Sequence, residues 1–160
     1  MRIELDHSKN IEPKKVENCR KLPIHWEDEA DKLVKQLLKD DIISEVHEAT
    51  SDWVSPAFFV QKPNGKLRLV TDFTQLNKYV KRPIHPFPSA AEIVQRIPKG
   101  AKYFAKLDAI QGYHQVPLAD DCRHLTTFLL PRGKFQYKRG PMGLKSTNDC
   151  LLYTSPSPRD

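Results

Sequence analysis

The segment from Phe58 to Val70 leaves the backbone few choices. Phe58-Phe59-Val60 and Leu67-Arg68-Leu69-Val70 are strand-forming runs on either side of Asn64-Gly65, a hairpin turn signal. A two-residue turn would put Pro63 where an N–H must bond across the ladder, and proline has none. A three-residue loop fits, with Pro63 and Asn64 central in a type I turn and Gly65 left-handed in a bulge. The register follows: Lys62 pairs with Lys66, and Val60 with Arg68. Alternation puts Lys62, Lys66 and Arg68 on one face. Like charges directly opposite are unfavourable unless an anion lies between them, and a triphosphate is such an anion. The alternative is an exposed basic hairpin tip.

A second constrained stretch is Tyr103-Phe104-Ala105-Lys106-Leu107-Asp108. Its aromatic and aliphatic side chains predict a buried strand that ends on a carboxylate. An unpaired carboxylate in an apolar layer must neutralise, pair or bind a metal. Gly112 and Tyr113 follow, placing a flat ring shortly beyond the acid. Asp108 is therefore a candidate ligand for a divalent cation, with Tyr113 flooring the pocket beside it. The alternative is an aspartate that caps the next turn.

Composition bounds the rest. The chain has 160 residues, 39% of them hydrophobic, and 13 prolines, which predicts one loop-rich domain or a piece of a larger one. No apolar run reaches the roughly 18 residues a transmembrane helix needs, and the charged start Met1-Arg2-Ile3-Glu4-Leu5-Asp6 is unlike a signal peptide. Cys19, Cys122 and Cys150 form neither a zinc pattern nor a disulfide framework, so an intracellular, reducing setting and no membrane are expected. The net charge of +6 is unevenly distributed. Acids dominate from Leu22 to Gln61. Bases dominate from Lys62 to Arg82 and again from Pro131 to Lys145, where no acid occurs. Two basic blocks suggest a polyanion partner, with Lys66, Lys78, Arg139 and Lys145 as nucleic-acid contacts; a solvated basic face is the alternative.

Along the chain, residues 1–25 are a polar lead-in with an Ile3/Leu5 alternation. A helix is predicted from Glu27 to Lys39, acidic at its start, with Ala30, Leu33, Val34, Leu37 and Leu38 on one face. Ile42-Ile43 resumes as an extended segment and Trp53-Val54-Ser55-Pro56 as a corner. Asp72 to Lys78 is a polar turn with apolar anchors, and Pro83, Pro86 and Pro88 make an extended connector. Ser89-Ala90-Ala91-Glu92 is a capping box that opens a short helix to Ile97. Val116-Pro117-Leu118 is a short arm. A second hairpin joins Leu125–Leu130 to Phe135–Lys138 around Arg132-Gly133. Gly140-Pro141-Met142-Gly143-Leu144 is a tight turn whose glycines admit a close neighbour.

The order of these pieces resembles the reverse transcriptases of long-terminal-repeat retroelements, nearest the gypsy-like group. The resemblance rests on Lys62-Pro63-Asn64-Gly65-Lys66-Leu67-Arg68, Asp72-Phe73-Thr74-Gln75-Leu76-Asn77-Lys78, Phe104-Ala105-Lys106-Leu107-Asp108 through Gly112-Tyr113-His114-Gln115, Thr127-Phe128 and Pro141-Met142-Gly143-Leu144. It covers most of residues 20–145. It implies an α+β fold: fingers and partial palm of a right-hand polymerase, with antiparallel hairpins packed on a few helices. The expected division is a lead-in at 1–25, fingers at 26–100, partial palm at 101–148 and a non-family tail at 149–160, which reads as disordered or translated vector sequence.

Site roles come with the resemblance. Asp108 matches the first metal-binding aspartate, catalytic in the parent, and the carbonyl of Ala109 shares its ion. Lys62 and Arg68 match residues that grip the incoming triphosphate. Tyr113 matches the aromatic gate against a ribose 2′-hydroxyl. Met142 and Gly143 lie against template and nucleotide, Met142 departing from the usual Phe or Gln. The implied cofactor is Mg²⁺, two ions in the complete enzyme, with Mn²⁺ as a substitute. The implied partners are an RNA or DNA template-primer and deoxynucleoside triphosphates. The family's aromatic-x-Asp-Asp hairpin is not in these 160 residues. Asp40-Asp41 and Asp120-Asp121 read as solvated turns, so the fragment alone is expected to be inactive. A non-catalytic, basic nucleic-acid-binding module is the alternative, and a polymerase that makes RNA a weaker one, which the bulky Tyr113 opposes.

Overall fold

A computed structural model describes residues 1–47, 51–81, 89–105 and 108–154. Five strands form one sheet: β1 (Ile43–Glu45), β2 (Ser55–Gln61), β3 (Leu67–Thr71), β4 (Phe128–Leu130) and β5 (Gly133–Tyr137), in the order β1-β5-β4-β2-β3. All neighbours are antiparallel except β2 and β4, where Ser55 faces Phe128 in a parallel pair. The helices are α1 (Glu27–Lys39), α2 (Ala90–Gln95), the single turn α3 (Gly112–Gln115) and α4 (Lys145–Thr154). No helix among the described residues is long and apolar enough to cross a membrane.

The β2–β3 hairpin has the register that Pro63 dictates. Val60 pairs with Arg68, the Lys62 N–H donates to the Lys66 carbonyl at 2.8 Å, and Gly65 is left-handed at φ +83°. Helix α1 occupies its predicted span, burying Ala30 and Val34. It ends in a Schellman motif: the Asp41 N–H donates to the Leu38 carbonyl and the Ile42 N–H to the Leu37 carbonyl. Asp41 takes the left-handed position at φ 55°, and its carboxylate pairs with Lys138. Buried Ile42 supplies the apolar contact that accompanies such a cap. The capping box before α2 forms both its hydrogen bonds, Glu92 N–H to Ser89 Oγ and Ser89 N–H to Glu92 Oε2.

The core lies where β1, β4 and β5 meet the segments after β3, after α3 and just before α4. Phe73, Leu76, Leu118, Phe128 and Leu144 are nearly inaccessible. The Phe128 ring centroid is 5.0 Å from that of Tyr137 and 5.9 Å from that of Phe135. The lead-in is stitched to this core. Ile3 is buried, Leu5 bridges Val80, and Val16 and Val54 bond through their backbones.

Three features differ from the sequence reading. Residues 101–105 form no strand, and Tyr103 and Phe104 are 94% and 73% exposed. Apolar sequence gives a preference for the pleated state, but a strand persists only beside a partner, and none of the described strands lies against this segment. Lys106, Leu107 and the connector prolines lie outside the described residues. Residues before Phe128 form a 3-10 segment, Asp120–Thr126, in place of strand. There the Thr126 and Thr127 hydroxyls bond back to the Arg123 and His124 carbonyls at 2.7 and 2.8 Å, offering the backbone a turn instead of a ladder. Helix α4 runs to Thr154, so the segment expected as a tail from residue 149 begins as helix. One sheet takes strands from both sides of residue 100, since β4 pairs with both β2 and β5.

Candidate active site

A cleft of about 330 Å³ opens along β3. Lys62 and Leu67 through Thr71 form one side of it and Leu33 and Leu37 of α1 contribute apolar surface. Gln111, Tyr113 and His114 come from α3 and its approach, and Met142 and Gly143 from the turn before α4. Larger hollows exist elsewhere, one of about 480 Å³ between residues 19–22, α1 and the β4–β5 turn. That one gathers none of the predicted site residues.

Each wall has a local cause. Lys62, just past β2, and Arg68, on β3, are exposed, and among the described residues neither meets a carboxylate. Two unneutralised cations beside an apolar cleft suit an anion. The turn end of the hairpin is tied to α1, where Glu29 Oε1 accepts from the Leu67 N–H at 2.9 Å.

Tyr113 is held by a tight turn. Gln111 is left-handed, φ 49° and ψ 41°, and starts α3. The Gln115 Nε2 donates to the Ile110 carbonyl at 2.9 Å, closing the turn. The chain after α3 is laced to residues 138–140: the Gly140 N–H donates to the Val116 carbonyl, the Leu118 N–H to the Lys138 carbonyl, and Arg139 Nη1 to the His114 carbonyl at 3.3 Å. His114 Nδ1 lies 3.2 Å from the Gly140 carbonyl, which only accepts, so the proton sits on Nδ1. Burial pulls the pKa of His114 below its ordinary value, with the Arg139 charge acting in the same direction, against the bond to Gly140.

The third wall reverses direction at Gly143, φ +90°, a conformation glycine adopts at little cost. A side chain there would meet only the Thr71 carbonyl, at ordinary contact distance, so backbone conformation, not crowding, calls for glycine. Where Tyr137 joins the lining, its hydroxyl is buried against Thr71 Oγ1 at 3.1 Å, and burial pushes its pKa up to about 12.

The structure thus brings together Lys62, Arg68, Tyr113, Met142 and Gly143. Asp108 and Ala109 do not line the cleft, although the chain reaches it three residues on at Gln111. Asp108 is exposed, not set in an apolar layer. Among the described residues no cluster of three potential metal ligands occurs. Asp108 with the Ala109 carbonyl therefore fits one edge of a metal site and not a whole one. The acidic pairs elsewhere are exposed and engaged: Asp41 with Lys138, Asp120 with Arg123, Asp121 with Arg2. Among the predicted nucleic-acid contacts, Lys66 and Lys78 are exposed, while Arg139 is half-buried and turned to His114. Lys145 uses its backbone N–H to donate to Asn77 Oδ1. Leu33, Leu37, His114 and Asn77 were not predicted as part of the site. For α1 the sequence shows only a helix's apolar face, which does not say what it lines.

The chain was compared with known proteins. The profile of the family described as reverse transcriptase (RNA-dependent DNA polymerase) matches residues 60–147. The retrovirus-related Pol polyprotein from transposon gypsy of Drosophila melanogaster is 38% identical over 124 residues, 74% of this chain and 12% of that protein. The Pol polyprotein from transposon 412 of the same organism is 35% identical over 143 residues, 86% of this chain and 11% of that protein. The chain therefore spans only about a tenth of these relatives' length. Among solved structures, prototype foamy virus protease-reverse transcriptase superposes with a TM-score of 0.77 at 20% identity, covering 93% of this chain and 19% of that one. The foamy viral protease-reverse transcriptase in complex with double-stranded DNA gives 0.69 at 21% identity, covering 90% of this chain and 24% of that one. At such identities the likeness speaks for the fold alone.

Proposed function

The chain belongs to the reverse transcriptase (RNA-dependent DNA polymerase) family, and on that premise we propose that it is the fingers and first part of the palm of a retroelement polymerase. The parent protein extends a DNA primer on an RNA or DNA template with deoxynucleoside triphosphates, inside the cell. Residues 26–100 serve as fingers and 101–148 as partial palm, with 1–25 as a lead-in and 149–160 as a non-family tail.

One observation carries the reading: Lys62, Arg68, Tyr113, Met142 and Gly143, remote in sequence, line one cleft. Lys62 and Arg68 supply two cations on one side, matched to the phosphates. Tyr113 supplies an aromatic ring against which the sugar would lie, and a 2′-hydroxyl there would meet it. Met142 and Gly143 give an apolar contact and a close backbone approach on the opposite side. The exposed Lys66, Lys78 and Lys145 suit the phosphates of a template-primer, with a salt dependence of about −0.9 in log–log slope per duplex phosphate contacted.

Asp108 and the Ala109 carbonyl would hold one edge of a Mg²⁺ site, Mn²⁺ substituting. When bound, such ions would supply the charge that activates the primer hydroxyl and neutralises the leaving pyrophosphate. The other carboxylates such a site needs are not supplied here, so the 160-residue chain by itself should not polymerise. Primer extension by the purified chain tests this, and clear Mg²⁺-dependent incorporation would defeat it. In the longer parent, Asp108→Ala should abolish incorporation and Tyr113→Val should admit ribonucleotides; normal synthesis by the first or unchanged sugar selection by the second would sink these assignments.

A further inference from the structure

Asn77 lies in the 3-10 turn Leu76–Lys78 that follows β3, and its side chain reaches across to the turn before α4. Its Nδ2 donates to the Gly143 carbonyl at 2.9 Å, and its Oδ1 accepts from the Lys145 N–H at 3.0 Å. We propose that Asn77 is a positioning residue: its carboxamide fixes the Met142–Gly143 wall of the cleft and so sets how tightly the cleft holds the nucleoside part of a triphosphate. This rests on the nucleotide reading above.

Little else holds that wall between its two ends. Leu144 is fully buried and Gly140 bonds to Val116, so both ends of the turn are anchored. Between them, Met142 and Gly143 are exposed and face the cleft. Asn77 is itself set on a rigid base. Its N–H donates to the Phe73 carbonyl at 2.8 Å, and Phe73 and Leu76 are core residues. The side chain therefore transfers the position of the core to a segment that has little packing of its own. A planar carboxamide offers donor and acceptor on adjacent atoms, which this geometry requires. Aspartate is the same shape but sets a second acceptor against the Gly143 carbonyl. Alanine loses both bonds.

The test uses the 160-residue chain with dTTP and inorganic tripolyphosphate as probes, Mg²⁺ present, and binding followed by backbone amide shifts of ¹⁵N-labelled protein. Hydrogen exchange of the Lys145 amide reports the brace directly, and thermal unfolding checks the fold. Asn77→Asp and Asn77→Ala should each weaken dTTP by about tenfold, the scale of one or two lost hydrogen bonds, while leaving tripolyphosphate unchanged. Arg68→Ala should weaken both probes. If Asn77→Ala fails to fold, the isosteric Asn77→Asp carries the test. Wild-type dTTP affinity in that variant would overturn the role of Asn77 and leave the nucleotide reading standing. Equal loss of both probes would overturn it as well, marking general damage. A wild-type chain that binds neither probe, with its Lys145 amide still protected, would overturn the nucleotide reading, and the role of Asn77 in affinity with it.

Discussion

Replacing Gly140 with alanine should loosen the joint that holds Tyr113. A methyl group there would stand 2.6 Å from Thr147 Cγ2 and 2.9 Å from the Tyr113 carbonyl oxygen, against a normal carbon separation of about 3.5–4.0 Å. Neither neighbour can yield freely. Thr147 is fully buried in α4, and the Tyr113 oxygen is backbone. Gly140 itself is pinned by its N–H to Val116 and its carbonyl to His114. Overpacking of one methyl in such a site costs about 1–3 kcal/mol. Alanine also restricts the unfolded chain, which returns about 0.4–1 kcal/mol. The net expectation is a loss of about 1–2 kcal/mol, or about 2–8 °C in Tm for a domain of this size. Urea unfolding of Gly140→Ala, Thr147→Ser and the double variant measures it. Serine removes Cγ2, so the double variant should recover part of the loss beyond additivity, with the Tyr113 contact remaining. A Gly140→Ala protein within about 0.5 kcal/mol of wild type, or an additive double variant, would refute the close approach of these three segments.

Thr71→Val should cost about 1–3 kcal/mol, because it strands the buried Tyr137 hydroxyl, whereas Thr71→Val with Tyr137→Phe should cost much less; equilibrium denaturation of the pair decides it. His114 titrates lower in the folded protein than in the unfolded chain, so its contribution is whole above the unfolded pKa near 6.5 and declines as pH falls toward the folded one. Unfolding midpoints from pH 7.5 to 5 should therefore slope less in His114→Gln than in wild type. Ser89→Ala should fray α2 at a cost of about 1 kcal/mol, seen as faster exchange of the Glu92 and Ile93 amides with little change elsewhere.

Much was readable where a local rule has one solution. Pro63 cannot donate, so the hairpin register followed, and with it the shared face of Lys62 and Arg68. The apolar stripe of α1 and the capping box of α2 are likewise properties of short windows. The failures are as specific. Tyr103-Phe104 reads as strand, yet pairing is a property of two segments, and among the described residues the second is absent. Asp41 ends α1 in a left-handed conformation that a sequence reader assigns first to glycine or asparagine. Asn77 looks like one more polar turn residue until the turn before α4 is placed against it.

Sequence alone therefore determined the first hairpin, α1, the α2 cap, the family resemblance and the chemical character of each candidate residue, because backbone sterics and side-chain type act over a few neighbours. Only the tertiary structure decided that β3, α3 and the Gly143 turn converge, and that Arg139 turns inward while Arg68, among the described residues, meets no carboxylate. Those outcomes depend on which distant groups satisfy one another's hydrogen bonds and exclude water, and no window of the chain contains both partners.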